Sequence, residues 1–329
     1  MHARTYSAII PSYNRRDTLV RVVDALQRQD APELVCEVIV VDDGGSDGAA
    51  DAVEDRRWDL PVRVIRQQRG GPSAARNRGV AVARGEVLLF LCDDIEAEPH
   101  LLRRHEERRS SIDGPHCVVG RVDWPPTTRV TPFMRFVTAR YHFGFEQLVG
   151  MDELPFDRVI TANFSIHREL LLSVGGFDEG FPYGFEDTDL GLRLMELPGM
   201  RILYAPEALG RHHHTIDVAG YCRRQEALGP SAVAFSRRHP SHPEVTRLDR
   251  VPRWGSAAGI AKRIARNPLT RPLWYAGVQA AFRLGATRAG ETLCHQLFAY
   301  HYYRGVERAI RAGRADSHEW APTQPVHPE

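Results

Sequence analysis

Apolar and polar positions alternate between two periods over the first hundred residues. Tyr6 to Ile10 is a short apolar run stopped by Pro11-Ser12-Tyr13-Asn14, a strand followed by a turn. Leu19, Val22, Val23 and Leu26 then fall at i, i+3, i+4 and i+7, the stripe of an amphipathic helix. Val38-Ile39-Val40-Val41 is a continuous β-branched run, as expected of a strand buried on both faces, and it ends in Asp42-Asp43-Gly44-Gly45. Val62 to Ile65 predicts a third strand and Ser73 to Ala83 a helix. Val87 to Leu91 predicts a fourth strand, which stops abruptly at Cys92-Asp93-Asp94.

Beyond this point the pattern loosens. Trp124-Pro125-Pro126 and Thr131-Pro132-Phe133 read as loops, and Thr161 to Ile166 as a further strand. Arg168 to Val174 predicts a short helix closed by Gly175-Gly176, a C-cap signal. Glu186 to Leu197 predicts a helix with Leu190, Leu194 and Leu197 on one face. Arg201 to Tyr204 predicts a strand leading to Arg211-His212-His213-His214. From about Asp217 the chain is helical and arginine-rich, interrupted by Pro240, Pro243, Pro252, Pro268 and Pro272, and from Ser317 on it reads as a disordered tail.

Strands alternating with helices argue for an open, mostly parallel α/β sheet, whose ligand sits beyond the carboxyl ends of the strands. Three of the first four strands end there in polar clusters: Ser12-Tyr13-Asn14, Asp42-Asp43 and Asp93-Asp94. Acids at the end of a buried strand are costly to desolvate, so they commonly hold a cation or a polar ligand.

Composition narrows the picture. The chain has 329 residues, 43% apolar and 26% charged, enough for one large domain or a domain with a helical extension. Its net charge of +1 gives no reason to expect nucleic acid as a partner. Lys262 is the sole lysine, which a GC-rich coding bias explains as well as any function. Five scattered cysteines without a CxxC argue against a disulfide framework or a zinc ribbon. Neither a signal-peptide pattern nor an apolar run of membrane-spanning length is present, so the reading is a cytoplasmic protein, with peripheral attachment to the inner face of a membrane left open.

Five ordered motifs now matter together. They are Ala8-Ile9-Ile10-Pro11-Ser12-Tyr13-Asn14-Arg15; Val40-Val41-Asp42-Asp43-Gly44; Gly71-Pro72-Ser73-Ala74-Ala75-Arg76-Asn77-Arg78-Gly79; Phe90 to Asp94; and Gly175-Gly176-Phe177-Asp178 through Glu186-Asp187-Thr188-Asp189. In this order and spacing they resemble the family-2 glycosyltransferases, over roughly residues 5 to 215. The resemblance implies a GT-A fold (Rossmann-like, with a mostly parallel central sheet), a nucleotide-diphosphate sugar donor, a divalent metal, Mn2+ or Mg2+, and inversion at the anomeric carbon. Joined to the sequence pattern, it gives an expected catalytic domain over 1–216, followed by a helical extension over 217–316, read as shaping the acceptor side, and the tail over 317–329. Pro11, Tyr13 and Asp43 match positions that hold the base and ribose, Arg16 is grouped with them, and Arg76 matches an arginine close to the diphosphate. Asp93 matches the ribose-facing acid and Asp94 the metal-binding acid. Asp187 matches the catalytic base, with Glu186 as a rival acid or an orienter of the acceptor hydroxyl. His212, and less directly His214, match a histidine that completes the metal shell. Two residues depart from the family pattern: Cys92 stands where many members have an aspartate, and Gly45 replaces a usual serine, which is expected to loosen the turn.

The residues support the same chemistry independently. Ser73 to Arg76 open a helix, and helix N-termini favour phosphates. Asp187 opens another, where the dipole favours negative charge. On an extended backbone His212 and His214 face one way and His213 the other. The donor is expected to be a UDP-sugar, and the acceptor a sugar, a lipid-linked glycan or a small molecule. Two rival readings are a sugar nucleotidyltransferase and a catalytically inactive sugar-nucleotide-binding partner protein. Pro11-Ser12-Tyr13-Asn14 lacks the glycine-rich loop usual in the first, and the retained Asp94, Asp187 and His212 argue against the second.

Overall fold

The computed structural model describes residues 5–248 and 271–313. The expected tail from Ser317, and the interruptions at Pro252 and Pro268, lie outside the described residues. The described chain divides into two compact units. The first runs to Thr128 and resumes with Phe143–Glu179 and Glu186–His214. The second gathers Arg129–His142, Gly180–Phe185 and the described residues from Thr215 onward.

The first unit is built on one sheet of eight strands: β1 (Tyr6–Ser12), β2 (Val35–Asp42), β3 (Val62–Arg66), β4 (Val87–Leu91), β5 (Ile95–Ala97), β6 (His116–Asp123), β7 (Asn163–His167) and β8 (Arg201–His212). Their order is β3-β2-β1-β4-β7-β6-β8-β5. The β3-β2-β1-β4 half is parallel throughout, as the βαβ alternation predicts. In the other half β7 runs antiparallel to β4 and β6, β8 is parallel to β6, and β5 antiparallel to β8. Val38, Ile39, Val40 and Val41 of β2 and all of β4 are fully buried, the reason both read as unbroken apolar runs.

Helices α1 (Arg16–Gln27), α2 (Ala49–Glu54), α3 (Pro72–Val82) and α4 (Leu101–Ser110) follow β1, β2, β3 and β5. Gly79 lets α3 lie against the sheet, since a Cβ there would come within 2.5 Å of the Ile9 side chain. Short α6 (Arg168–Ser173) ends at Gly175 and Gly176, both with φ in the left-handed region, and their amides bond back to Leu172 and Leu171. Helix α7 (Glu186–Met195) follows.

Three strands differ from expectation. The strand expected over 201–204 extends to His212, because β5 pairs with its far end. Strands β5 and β6 escape a sequence reading: one has three residues, and the other follows a polar turn in a region without clear periodicity.

The second unit, as described, is helical. Short α5 (Pro132–Val137) is N-capped by Thr131, whose hydroxyl accepts from Met134 N at 3.1 Å. It is accompanied by α8 (Val218–Arg238), α9 (Pro243–Thr246), α10 (Arg271–Arg283) and α11 (Thr287–Arg311). Pro272 does not interrupt the pattern, since it is the second residue of α10 as described. Helices α8 and α11 cross on glycine: a Cβ on Gly229 would lie 2.1 Å from the Gly305 carbonyl carbon, and one on Gly305 would lie 2.0 Å from Glu226 O.

Candidate active site

The carboxyl ends of β2, β1 and β4 lie side by side, so the turns after them form one edge. Pro11 fits in β1 because pairing with β4 stops at Ile9. After β1 the chain turns through Asn14, which has φ 52 and whose Oδ1 accepts from Ser46 N at 2.7 Å. Gly45 does not loosen the neighbouring turn. Its amide donates to Asp42 Oδ1 at 2.9 Å, and a Cβ would lie 2.8 Å from that oxygen, so a side chain there would require the Asp42 carboxylate to shift.

Asp43 is buried and anchors the loop before α3: its carboxylate accepts from Gln67 Nε2 at 2.8 Å, Gly70 N at 2.7 Å and Gly71 N at 2.9 Å. In that loop the Arg69 guanidinium lies 3.9 Å over the Tyr13 ring. Tyr13 N in turn donates to Asp93 Oδ2 at 3.3 Å. These contacts bring Tyr13, Asp43 and Asp93 to one edge. Arg16, by contrast, is exposed at the start of α1, and its amide donates to Asp47.

Pairing of β5 with β8 sets His212 opposite Ile95, so the residue before β5, Asp94, meets the end of β8. His213 N donates to Asp94 O at 2.9 Å, and His212 Nε2 lies 3.5 Å from Asp94 Oδ2. The imidazoles alternate as an extended chain requires. The rings of His212 and His214 are 5.7 Å apart, while His213 turns to Glu96, with Nε2 at 2.6 Å from its carboxylate. His214 Nδ1 contacts Arg15 at 3.2 Å. Trp124 and Phe143 pack on the His212 ring at 5.2 and 5.4 Å between centroids.

The two adjoining acids are driven apart electrically. Burial, then the Asp94 carboxylate, raises Asp93, against Arg15 and Ser12. Burial alone would raise Asp94 too, but the His212 imidazole, Arg15 and His214 outweigh it and hold this carboxyl below the usual range. Asp94 and His212 thus bring a carboxylate oxygen and an imidazole nitrogen to within 3.5 Å, a donor pair that fits a divalent cation. Among the described residues no three acid, histidine or cysteine side chains converge as a complete set. Two side chains fall short of a full shell, so an ion held by this pair would take its other ligands from bound molecules.

Asn77 of α3 ties down the turn after α6, donating to Phe177 O at 2.8 Å and accepting from Phe177 N at 3.0 Å. The chain then enters α7 through Gly184 and Phe185, with φ 75 and 70. A bulky residue in the left-handed region costs on the order of 1–3 kcal/mol, and such strain clusters at functional sites. Glu186 and Asp187 follow directly. Glu186 is buried, with Oε1 3.4 Å from Arg76 NH1, and Arg76 is buried as well, 5.3 Å over the Phe177 ring. Burial, then Asp187, raises Glu186, with Arg76 opposing. Burial disfavours the charge on Arg76, but Asp187 and Glu186 prevail and raise its pKa. Asp187 is held by one residue: Oδ1 accepts from Thr161 Oγ at 2.7 Å and Oδ2 from Thr161 N at 3.0 Å. Asp189 instead pairs with Arg193 at 2.7 Å, and Arg193 reaches Val174 O and Gly176 O, so this acid braces the helix.

The first four of the five sequence motifs fall within a known profile: that described as Glycosyl transferase family 2 matches residues 7–172. The chain belongs to glycosyl transferase family 2. It is similar to the pre-mycofactocin glycosyltransferase of Mycobacterium tuberculosis, with 30% identity over 253 residues, 72% of this chain and 48% of the relative. The chain spans about half the length of the curated relatives it matches. Among solved structures it is similar to a mannosyltransferase from Pyrobaculum calidifontis in complex with GDP-Man and Mn2+, with TM-score 0.61 and 19% identity, covering 94% of this chain and 88% of that one. It is also similar to residues 1–349 of S. aureus TarS in complex with UDP, with TM-score 0.51 and 18% identity, covering 94% and 92%. At these identities the likeness is one of fold, and that fold is GT-A.

All eleven residues singled out from the sequence (Pro11, Tyr13, Arg16, Asp43, Arg76, Asp93, Asp94, Glu186, Asp187, His212 and His214) fall in the first unit of the glycosyl transferase fold. Two neighbours escaped that reading. Arg15 rather than Arg16 faces His214, and its position in the Ser-Tyr-Asn-Arg turn was the available signal. Thr161 lies 26 residues before Asp187, and nothing in the sequence connects them.

Proposed function

We propose that this protein is a metal-dependent, inverting glycosyltransferase that moves a sugar from a nucleotide-diphosphate donor, a UDP-sugar by preference, to an acceptor hydroxyl. The observation that carries the reading is the approach of His212 Nε2 to Asp94 Oδ2, 3.5 Å apart at the edge that also holds Asp93 and Tyr13. Asp94 and His212 would hold Mn2+ or Mg2+, with His214 close behind. Bound there, such an ion offsets the charge of the departing diphosphate by several kcal/mol.

Each remaining role belongs to the chain's own groups. The Tyr13 ring offers a face for the nucleotide base, and Asp43 shapes the loop beside it. Arg76 supplies a buried positive charge for the diphosphate side. The acceptor oxygen attacks the anomeric carbon as the bond to the diphosphate breaks, so the configuration inverts. Asp187 takes the acceptor proton, a contribution typically worth about 10² to 10⁴ in rate. Thr161 fixes the carboxylate plane of Asp187 by bonding both its oxygens, which keeps the base aimed without a second acid. Glu186, a residue away, orients the acceptor.

A thermal-shift panel of nucleotide sugars with and without Mn2+ tests the reading. A donor that binds only the native state raises the melting temperature. One nucleotide sugar should stand out, and only with metal. A flat panel in both conditions would contradict the assignment.

A further inference from the structure

We propose that α10 and the turn after it form a docking surface for an anionic membrane. Leu273, Ala276, Ala280 and Leu284 are all exposed and fall at i, i+3, i+7 and i+11, the spacing of a single helical face. Leu284 N still donates to Ala280 O at 2.9 Å, so the face continues past the last residue of the helix. Leu273 is 72% exposed and Leu284 83%, whereas most large apolar side chains of the described chain are covered. The helix does not need this face for its own packing. Val278 and Phe282 are buried, and Phe282 meets Phe133 and Phe136 at 6.1 and 6.0 Å between ring centroids.

Charge decides what covers the face. Arg283 and Arg288 are exposed beside Leu284, and neither has an ion-pair partner among the described residues. From Arg250 to Gly290 the sequence carries eight lysines and arginines and no acid, although the whole chain is only +1. Apolar side chains on a face that ends beside Arg283 suit the boundary of headgroups and acyl chains, where the leucines insert and Arg283 and Arg288 meet lipid phosphates. Nucleic acid would use the cations and leave the leucines in water. A second copy of the chain packed on the same face would set Arg283 against Arg283, with Glu291 the nearest acid in sequence. The surface lies in the helical unit, and the inference does not depend on the glycosyl transfer reading.

Co-sedimentation of the full chain with vesicles tests this. Vesicles of phosphatidylcholine with phosphatidylglycerol should retain the protein, phosphatidylcholine alone should not, and high salt should release it. Leu273→Gln with Leu284→Gln should lower the partition coefficient by about tenfold or more, and Arg283→Gln with Arg288→Gln by about tenfold. Both pairs should leave the melting temperature unchanged, because the replaced side chains are exposed. The proposal is overturned by an absence of binding to the anionic vesicles, by equal binding to neutral ones, or by variants that bind as the parent does. Light scattering that shows a dimer abolished by the leucine pair would overturn it too, as would variant-sensitive retention on DNA without retention on vesicles.

Discussion

Two buried polar clusters lie on the sheet of the first unit, one around His105 and one around Glu186. In the first, Asn163 Nδ2 donates to Arg121 O at 3.0 Å and Ala208 O at 2.8 Å, beside the point where β6 and β8 slip register after Gly120. Its oxygen must therefore accept, so His105 Nε2, 2.9 Å away, is the donor, and Nδ1 accepts from Ser165 Oγ at 2.9 Å. Both ring nitrogens of His105 and every polar atom of the Asn163 side chain are used. Only Nε of Arg109, whose NH2 donates to the same Ser165 Oγ at 3.3 Å, is buried here with no hydrogen-bond partner among the described residues. In the second, Glu186 Oε2, Arg76 Nε and Ser73 Oγ are buried, with no hydrogen-bond partner among the described residues. A buried polar cluster that completes itself needs nothing further, whereas unspent buried donors and acceptors call for a partner, of which a bound ligand is one kind. The two differ in satisfaction and also in charge, since His105, Asn163 and Ser165 bond one another as neutral groups while Glu186, Asp187 and Arg76 are ionisable acids and a base.

Breaking the unsatisfied cluster should cost chemistry. Asp187→Asn keeps the size of the side chain and much of its hydrogen bonding but cannot accept the acceptor proton. It should lower kcat by at least about 10² with donor affinity nearly intact. If Glu186→Gln were the dead variant and Asp187→Asn the active one, the two roles would have to be exchanged. His212→Ala should weaken the Mn2+ requirement curve by about tenfold to a hundredfold, while His213→Ala, engaged with Glu96, should shift it little. Uniform small effects across the histidines would make them a surface feature. Thr161→Val removes one of the two bonds to Asp187 and should lower kcat by about tenfold without raising donor KM, with Thr161→Ser restoring it.

The satisfied cluster should have the smallest effect on transfer and should act on stability instead. Burial lowers His105 from 6.5 to about 4. The folded state therefore binds fewer protons than the unfolded one between these values, and the stability held above the unfolded value is lost as pH falls toward the folded one. The loss should amount to about 3 kcal/mol. Chemical denaturation of His105→Gln should show a flatter pH dependence across that window, and an unchanged slope would remove His105 from the account.

Legibility differed between the halves of the sheet for a physical reason. Strands β1, β2 and β4 are buried on both faces and linked by helices, so their apolar runs and the polar residues that end them stand out in sequence. Strands β5 and β6 and the long reach of β8 are fixed by pairing across about a hundred residues, which no local period records. The same holds within the site. Asp94, Asp187 and His212 sit in motifs, whereas Thr161 becomes visible only when the loop before β7 comes to lie against α7. Arg16 was placed one residue from the arginine that faces the acids, because the turn at Asn14 hides which of the pair points inward.

The central claim is that Asp94 and His212 await a metal-bound diphosphate, and calorimetric titration of UDP tests it most directly. In the parent protein binding should require Mn2+. It should persist in Asp187→Asn, which loses only the base, and fail in Asp94→Asn, which keeps the shape of the site but not the anionic ligand. Binding of UDP that ignores Mn2+, or that survives Asp94→Asn unchanged, would contradict the account.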